Sequence, residues 1–128
     1  MTLLVLDSGG VTDLSIQRIA SVEKISTFRA DGLWPPVVPT VVLVECLSGR
    51  QHTDATVNRF LKACDIVDEL PEPVARRAGI LRDRAGRGSA VDAVVIAMAE
   101  PDGTVLNGDI KDLKALATHA RGVQVHHT

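Results

Sequence analysis

The stretch Leu3-Leu4-Val5-Leu6-Asp7-Ser8-Gly9-Gly10 joins four consecutive apolar residues to an acid and a glycine-rich turn. A short, continuous apolar run that ends in a turn is typical of a strand buried on both faces. Such strands belong to parallel sheets that helices cover on both sides. We therefore predict a buried strand over residues 3–6, with Asp7 at the point where it ends.

The rest of the chain alternates helical and extended patterns. Apolar spacing predicts helices at 11–29, 54–63, 73–87, 90–100 and 109–120, and further strands at 37–38, 66–67, 104–106 and 123–125. Residues 40–48 stay open between two structures. Their Val-rich run favours a strand, whereas Thr40 as a cap and Gly49 as a stop favour a helix. Strands that alternate with helices predict an α/β fold with a central parallel sheet.

Composition limits the class of protein. The chain has 128 residues, 45% of them hydrophobic, which predicts one domain over 1–128 with a substantial core. Two Phe and one Trp are too few for a base-stacking platform. Cys46 and Cys64 lack the spacing of a zinc site or a disulfide framework. No run approaches the ~18 apolar residues of a membrane span, so the expected location is the cytoplasm.

Four carboxylates are attached to segments that look destined for the core. They are Asp7, Glu45, Asp92 and Asp109. An unpaired buried carboxylate is costly, so such a group is usually neutralised, paired or bound to a metal. Because ligands bind beyond the carboxyl ends of parallel strands, the acids after the first and fourth strands are expected to meet there. Several acids without a His ligand suit Mg²⁺ or Mn²⁺ better than zinc.

Each acid also has a structural alternative. Asp109 would cap the following helix, with the acid three residues later as its partner. Asp92 would be the third-position acid of a capping box that Ser89 begins. The alternatives for the other two are a turn-forming role for Asp7 and an unseen arginine partner for Glu45.

Five of the fourteen basic residues lie between Arg76 and Arg87. On a helix over 73–87 they form either a solvated face or a surface that contacts an RNA backbone or a partner protein, because the guanidinium group matches phosphate and carboxylate alike. The candidates for RNA contact are Arg82, Arg84 and Arg87.

Taken in order, four segments of the chain resemble PIN-domain ribonucleases, specifically the toxin of a VapBC-type toxin–antitoxin pair. The segments are LVLDS at 4–8, PTVVLVECL at 39–47, AVDAVVIAMA at 90–99 and TVLNGDIKDL at 104–113. The resemblance covers about the whole chain. Two places depart from it, since Gly9-Gly10 stands where many relatives have a Ser or Asn and then an aliphatic residue, and Asn107 stands where a Thr or Ser is common.

The resemblance implies a PIN-like three-layer α/β/α sandwich and a helix at 40–48. It implies that the four acids Asp7, Glu45, Asp92 and Asp109 are the catalytic and metal-binding residues, with Asp112 as a further acid of lower weight. The implied activity is a Mg²⁺- or Mn²⁺-dependent endoribonuclease that acts as a toxin and inhibits translation and growth. The implied partners are an RNA substrate, a small VapB-type antitoxin and a second copy of the chain, in a homodimer that forms a heterotetramer or larger complex with the antitoxin.

Three other functions are alternatives. A catalytically silent PIN-fold module that binds RNA or protein has the same fold, and only activity and metal binding distinguish it. A phospho-acceptor domain needs an acidic pair after the first strand, and a phosphatase with a nucleophilic Asp needs Asp-x-Asp there. Asp7 is a single acid followed by Ser-Gly-Gly, which argues against both.

Overall fold

The computed structural model describes residues 2–128, which form five strands and seven helices. In chain order these are β1 (Leu4–Leu6), α1 (Ser8–Ser15), α2 (Ile19–Ala30), β2 (Val37–Pro39), α3 (Thr40–Cys46), α4 (Gln51–Leu61), β3 (Asp65–Val67), α5 (Glu72–Ala85), α6 (Ala90–Ala99), β4 (Thr104–Asn107), α7 (Lys111–Ala117) and β5 (Gln124–His127). None of the helices in this part of the chain has the length and apolar character that crossing a membrane requires.

The five strands form one parallel sheet in the order β3-β2-β1-β4-β5. In this sheet β1 is central, and its Val5 lies beside Val37 of β2 and Val105 of β4. Helix α1 packs with α2, α3 and α4, whereas α6 packs with α5 and α7. The side chains of β1 are fully buried between these layers. The prediction of an α/β/α sandwich with a central parallel sheet is confirmed.

The order of the strands places a crevice beside β1. The chain leaves β1 to build β2 and β3 on one side, and returns to build β4 and β5 on the other. Ligand sites of open α/β sheets lie at such a reversal, beyond the carboxyl ends of the two central strands. Here β1 is followed directly by Asp7, and β4 ends at Asn107.

Residues 40–46 form a helix, as the family resemblance implied and against their β propensity. Strand β2 ends at Pro39, opposite Val67, which is the last residue of β3. A strand that continued past Pro39 would leave its backbone without partners, which is costly, whereas a helix satisfies those groups internally. Thr40 does not cap this helix, because the N-cap position is Pro39.

The helix predicted over 11–29 is in fact two helices, α1 and α2. The break lies at residues 16–18, where Arg18 donates a backbone hydrogen bond to Ile16. Ser21 fixes the change of direction, since its buried hydroxyl donates to the carbonyl of Asp13 at 2.9 Å. The apolar spacing concealed this break because it continues into α2, although Ile19 and Val22 of that helix are exposed.

The last strand lies slightly later in the chain than predicted. The strand predicted at 123–125 instead spans Gln124–His127. His126 and His127 lie beside Leu106 and Asn107 of β4. The preceding helix is shorter than predicted and ends at Ala117, followed by turns that lead into β5.

Asp54 holds the loop between α3 and α4. The sequence suggested that Asp54 begins a helix, but α4 starts three residues earlier, at Gln51. The buried carboxylate of Asp54 accepts hydrogen bonds from the backbone N–H groups of Ser48 and Gly49 and from the Ser48 hydroxyl. These bonds, the Ser48 N–H first, hold the pKa of Asp54 below its ordinary value. The end of α3, which carries Glu45, is thereby fixed to α4.

A bidentate ion pair fixes α5 to α6. Arg77 donates from Nε and Nη2 to the carboxylate of Glu100 at 2.8 and 2.9 Å, and from Nη2 to the carbonyl of His119. The backbone N–H of Arg121 also donates to Glu100. The hydrogen bond from Arg77, together with that from Arg121, lowers the pKa of Glu100. Arg77 therefore has a structural role that its place in the arginine run did not reveal.

We expect Arg77→Lys to lower the free energy of unfolding by about 1–3 kcal/mol, because a lysine cannot form the bidentate pair. The matched control is Arg76→Lys on the same helix, where Arg76 and Glu72 are both largely exposed and the change should cost less than about 0.5 kcal/mol. Urea unfolding measures both variants. Equal effects of the two substitutions would contradict the structural role of Arg77.

Candidate functional site

A cleft of about 440 Å³ opens beyond the carboxyl ends of β1 and β4. Five carboxylates line it, and we call it the acidic cleft: Asp7, Glu45, Asp92, Asp109 and Asp112. The remainder of its lining is small or polar and consists of Ser8, Gly9, Ser89, Asn107 and Gly108. The fold thus brings the four acids singled out in the sequence to one place, from the residue after β1, from α3 and α6, and from the loop after β4.

Asp7 is the buried member of the acidic cleft, with 2% of its surface exposed. Its Oδ2 accepts a hydrogen bond from Nδ2 of Asn107 at 2.9 Å, whereas no group donates to its buried Oδ1. Burial raises the pKa of Asp7 to about 6, and the charges of Asp92 and Glu45 add to this against the opposing N–H of Ser8. A buried carboxylate oxygen that accepts no hydrogen bond has nothing to offset its negative charge.

Asp92 has two neighbours with different consequences. Its Oδ2 accepts from the backbone N–H of Ser89 at 3.1 Å, and its own N–H donates to the Ser89 hydroxyl at 3.0 Å. The capping box expected at the start of α6 is therefore present. Asp92 also lines the same cleft as Asp7, and its charge contributes to the raised pKa of that residue. The cap fixes Asp92 at the mouth of the cleft beside Asp7.

Glu45 and Asp109 are the exposed members of the acidic cleft. The alternative role of Asp109 as a helix cap is wrong, because α7 begins at Lys111 after Ile110 and has no side-chain cap. The contact from the Lys111 N–H to Asp109 is long, at 3.4 Å. The alternative of an arginine partner for Glu45 also fails, since none of the ion pairs within residues 2–128 includes it. Neither acid has a structural partner that explains its presence in the cleft.

The arginine run contributes to the rim of the cleft rather than to its lining. Arg87 donates from Nε to Asp112 at 2.6 Å, and both side chains are partly exposed. Arg82 donates to the carbonyl of Gly88 and so holds the loop that carries Arg87. Arg84 lines a separate groove along α5. Arg76 belongs to a solvated helix face, as one interpretation of the arginine run predicted, because this residue and its partner Glu72 are both largely exposed.

The donor set matches a hard divalent cation. Within residues 2–128, no three Asp, Glu, His or Cys side chains are already drawn together into a metal-binding group. Carboxylates without a counter-ion repel each other, which is consistent with the exposure of Glu45 and Asp109. Carboxylate oxygens are nevertheless the ligands that Mg²⁺ and Mn²⁺ prefer, and Oδ1 of Asp7 lacks any other partner.

Comparison with solved structures identifies the fold. The DNA-bound VapBC from Salmonella typhimurium superposes with a TM-score of 0.72 over 99% of this chain and 98% of the other, at 12% identity. VapBC-1 from nontypeable Haemophilus influenzae superposes with a TM-score of 0.62 over 98% and 97%, also at 12% identity. This chain has the PIN-like fold. No protein-family model and no curated protein matches its sequence.

Two polar residues of the acidic cleft were not among the predicted site residues. Asn107 is 8% exposed and bonds to Asp7, although the sequence marked it only as a departure from the family pattern. Ser89 lines the cleft and caps the helix that carries Asp92. A polar residue at the end of the apolar run 104–106 was the available signal for Asn107, since it lies at the same sheet edge as Asp7.

We expect Asp7→Asn to stabilise the metal-free protein above about pH 6 by about 1–3 kcal/mol. The pKa of Asp7 is higher in the folded chain, at about 6, than its ordinary value of 3.8, so deprotonation favours the unfolded chain. Stability due to the neutral carboxyl is thus present below pH 3.8 and is lost as the pH rises toward about 6. An asparagine does not titrate and still accepts the bond from Asn107.

Urea unfolding with a chelator at about pH 4 and about pH 7.5 measures this difference. The two proteins should be similar at the lower pH and diverge at the higher one. Asp65→Asn is the matched control, because Asp65 is exposed at the start of β3, at the opposite edge of the sheet. A lower stability of Asp7→Asn at the higher pH would contradict the burial of an unneutralised charge.

Proposed function

We propose that this chain is a Mg²⁺- or Mn²⁺-dependent endoribonuclease and the toxin of a VapBC-type toxin–antitoxin pair. The observation that carries the proposal is the buried Asp7, whose Oδ1 has no donor, in a cleft lined by four further carboxylates. The cleft lies where α/β sheets bind ligands. The similarity of the fold to two VapBC structures supports the same function.

In this proposal the cation is held by the four acids that the sequence singled out, namely Asp7, Glu45, Asp92 and Asp109. The bound cation would supply Lewis-acid stabilisation of negative charge on the attacked phosphate and would make water in the cleft more acidic. The cation would supply the positive charge that the site lacks, and would thereby offset the burial and the neighbouring charges that raise the pKa of Asp7.

The remaining residues of the site would bind and orient the RNA. Arg87 lies at the rim of the cleft and Arg84 lines a groove on α5, so we assign to both a contact with the phosphate backbone of the RNA. Arg82 would act indirectly, because its guanidinium holds the loop at Gly88. The ion pair of Arg87 with Asp112 keeps this arginine beside the acids without placing it among them.

A second surface fits the proposed antitoxin. Helix α2 exposes 81% of Ile19 and 58% of Val22, which is unusual for residues of this size and apolar character. Next to them, a groove of about 460 Å³ lies between α2 and α4, with Leu14, Ile25 and Phe60 in its lining. An apolar groove beside an exposed helix suits an amphipathic segment of a small protein partner. Because the two similar structures are VapBC complexes, we assign this groove to a VapB-type antitoxin.

We expect the purified chain to cleave RNA with Mg²⁺ or Mn²⁺, and Asp7→Asn to reduce the rate more than about 100-fold. Since that substitution is expected to stabilise the fold, unfolding does not account for the loss. Asp65→Asn should cleave as the wild type does, and a chelator should abolish cleavage. The measurement is the appearance of discrete fragments from total RNA.

Cleavage that is insensitive to the chelator or to Asp7→Asn would reject the metal-dependent mechanism. A folded, antitoxin-free wild type that binds RNA but leaves it intact would favour the silent PIN-fold binding module instead. Fragments with defined ends identify the target RNA when they are sequenced.

We expect Arg84→Gln combined with Arg87→Gln to weaken RNA binding and to reduce its salt dependence by about two ionic contacts. Binding of a labelled RNA to the Asp7→Asn background, measured over a series of salt concentrations, separates binding from cleavage. Arg59→Gln on α4 is the control, because this arginine lines the groove assigned to the antitoxin. If Arg59→Gln lowered the affinity for RNA as much as the Arg84→Gln, Arg87→Gln double variant does, the arginines would contribute only through the overall charge of the protein.

A further inference from the structure

We propose that Gly9 and Asn107 form a matched pair that positions the carboxylate of Asp7. The amide of Asn107 donates a hydrogen bond to Oδ2 of Asp7 and leaves Oδ1 free for a ligand. There is room for this amide because Gly9 has no side chain. This inference deepens the proposed function, on which it rests, because the positioned oxygen is the one proposed to contact the cation. Asn107 and Gly9 are thus positioning residues rather than catalytic ones.

The orientation of the Asn107 amide is determined by its neighbours. Its Nδ2 donates to Oδ2 of Asp7 at 2.9 Å and to the carbonyl of Asp109 at 3.1 Å, while its Oδ1 accepts from the N–H of Gly108 at 2.7 Å. The reversed amide would place an oxygen against two oxygens and an NH₂ group against an N–H. Only the observed orientation satisfies all of these contacts.

The two donors of the amide explain why an asparagine is used here. One N–H holds the side chain of Asp7 and the other holds the backbone of Asp109, so that a single group fixes two of the proposed metal-binding residues. A serine or threonine, which the family resemblance predicts at position 107, has one O–H donor and cannot make both bonds. In this chain Asn107 therefore makes two hydrogen bonds, to Asp7 and to Asp109, where a serine or threonine would make one.

The fit between Gly9 and Asn107 is close. A Cβ atom at position 9 would lie 1.8 Å from Oδ1 of Asn107 and 2.8 Å from the backbone nitrogen of Gly108. Any side chain at position 9 would therefore displace the amide from Asp7. The two departures from the family pattern occupy the same space, since the volume of a Ser or Asn side chain at position 9 is filled here by the side chain of residue 107.

The test is a double-mutant cycle that measures binding of Mn²⁺ alone to the full chain by calorimetry. We expect Asn107→Ala and Gly9→Ala each to raise the Kd by about tenfold or more, the size typical of losing a contact that orients a ligand. The double variant should bind no more weakly than the weaker single variant, because the 1.8 Å collision of the new methyl group with Oδ1 of Asn107 is then absent and only its 2.8 Å approach to the Gly108 nitrogen remains. Controls are Asn58→Ala and Gly79→Ala, an exposed asparagine and a helical glycine with open space around it, which should leave the Kd unchanged.

A second cycle, of metal-free unfolding, measures the packing independently of any cation. Gly9→Ala should lower the melting temperature more in the wild-type background than in the Asn107→Ala background. If Gly9→Ala does not fold, folding restored by Asn107→Ala supports the pair in the same way. Additive effects on melting temperature would overturn the packing between the two residues.

The outcomes separate this inference from the proposed function. If the wild type binds no Mn²⁺, the proposed function fails, and the unfolding cycle still decides whether the two residues are matched. If the wild type binds Mn²⁺ and folded Asn107→Ala binds it equally, the positioning role fails while the proposed function stands. If the fold-increases in Kd of the two single variants multiply in the double variant, the two residues act independently, and the matched pair is overturned.

Discussion

The parallel pairing of β1 with β4 is the constraint on which the candidate site depends. It aligns Leu6 with Leu106, so that the next residues of both strands, Asp7 and Asn107, come together at one edge of the sheet. The two are separated by 100 positions in the chain, so only the tertiary fold can create their contact. Without this register the carboxylate of Asp7 would be buried with no hydrogen-bond donor from a side chain, at a cost of several kcal/mol.

The acidic cleft works against the stability of the fold, and the surrounding structure compensates. Burial and neighbouring charges raise the pKa of Asp7, which means that the folded chain opposes its ionisation. Around the cleft, however, α3, α5 and α6 are fixed by hydrogen bonds of charged side chains. Asp54 fixes the end of α3, the capping box fixes the start of α6, and Arg77 joins α5 to Glu100. A cleft that carries uncompensated charge needs such rigid surroundings, because repulsion would otherwise separate its walls.

The sequence was sufficient to predict the architecture and the meeting of the acids that follow β1 and β4, because both follow from local patterns, whereas Glu45 and Asp92 joined this set through the family resemblance. Apolar runs that end in an acid or a turn mark buried strands, and parallel strands bring their ends to one edge. What the sequence could not supply depends on contacts across the chain. The break between α1 and α2 depends on Ser21, the helix at 40–46 on the lengths of the neighbouring strands, and the roles of Asp54 and Arg77 on distant partners. The sequence could not show which acids cap a helix and which are exposed charges. In the structure Asp92 is part of a capping box, whereas Asp109 is exposed and caps no helix.

The coupling of Gly9 to Asn107 bears on how such a site persists while sequences diverge. Two structures at 12% identity share the fold over nearly the whole chain, so the fold constrains burial and register more than residue identity. A site imposes a stricter condition, because the side chains around Asp7 must fill one small volume and still present donors to it. Replacing Gly9 alone would drive an atom to 1.8 Å from Oδ1 of Asn107, whereas a smaller residue at 107 removes that collision. A change at either position thus alters what the other can accommodate, and the two positions must vary together for Asp7 to keep its hydrogen bond.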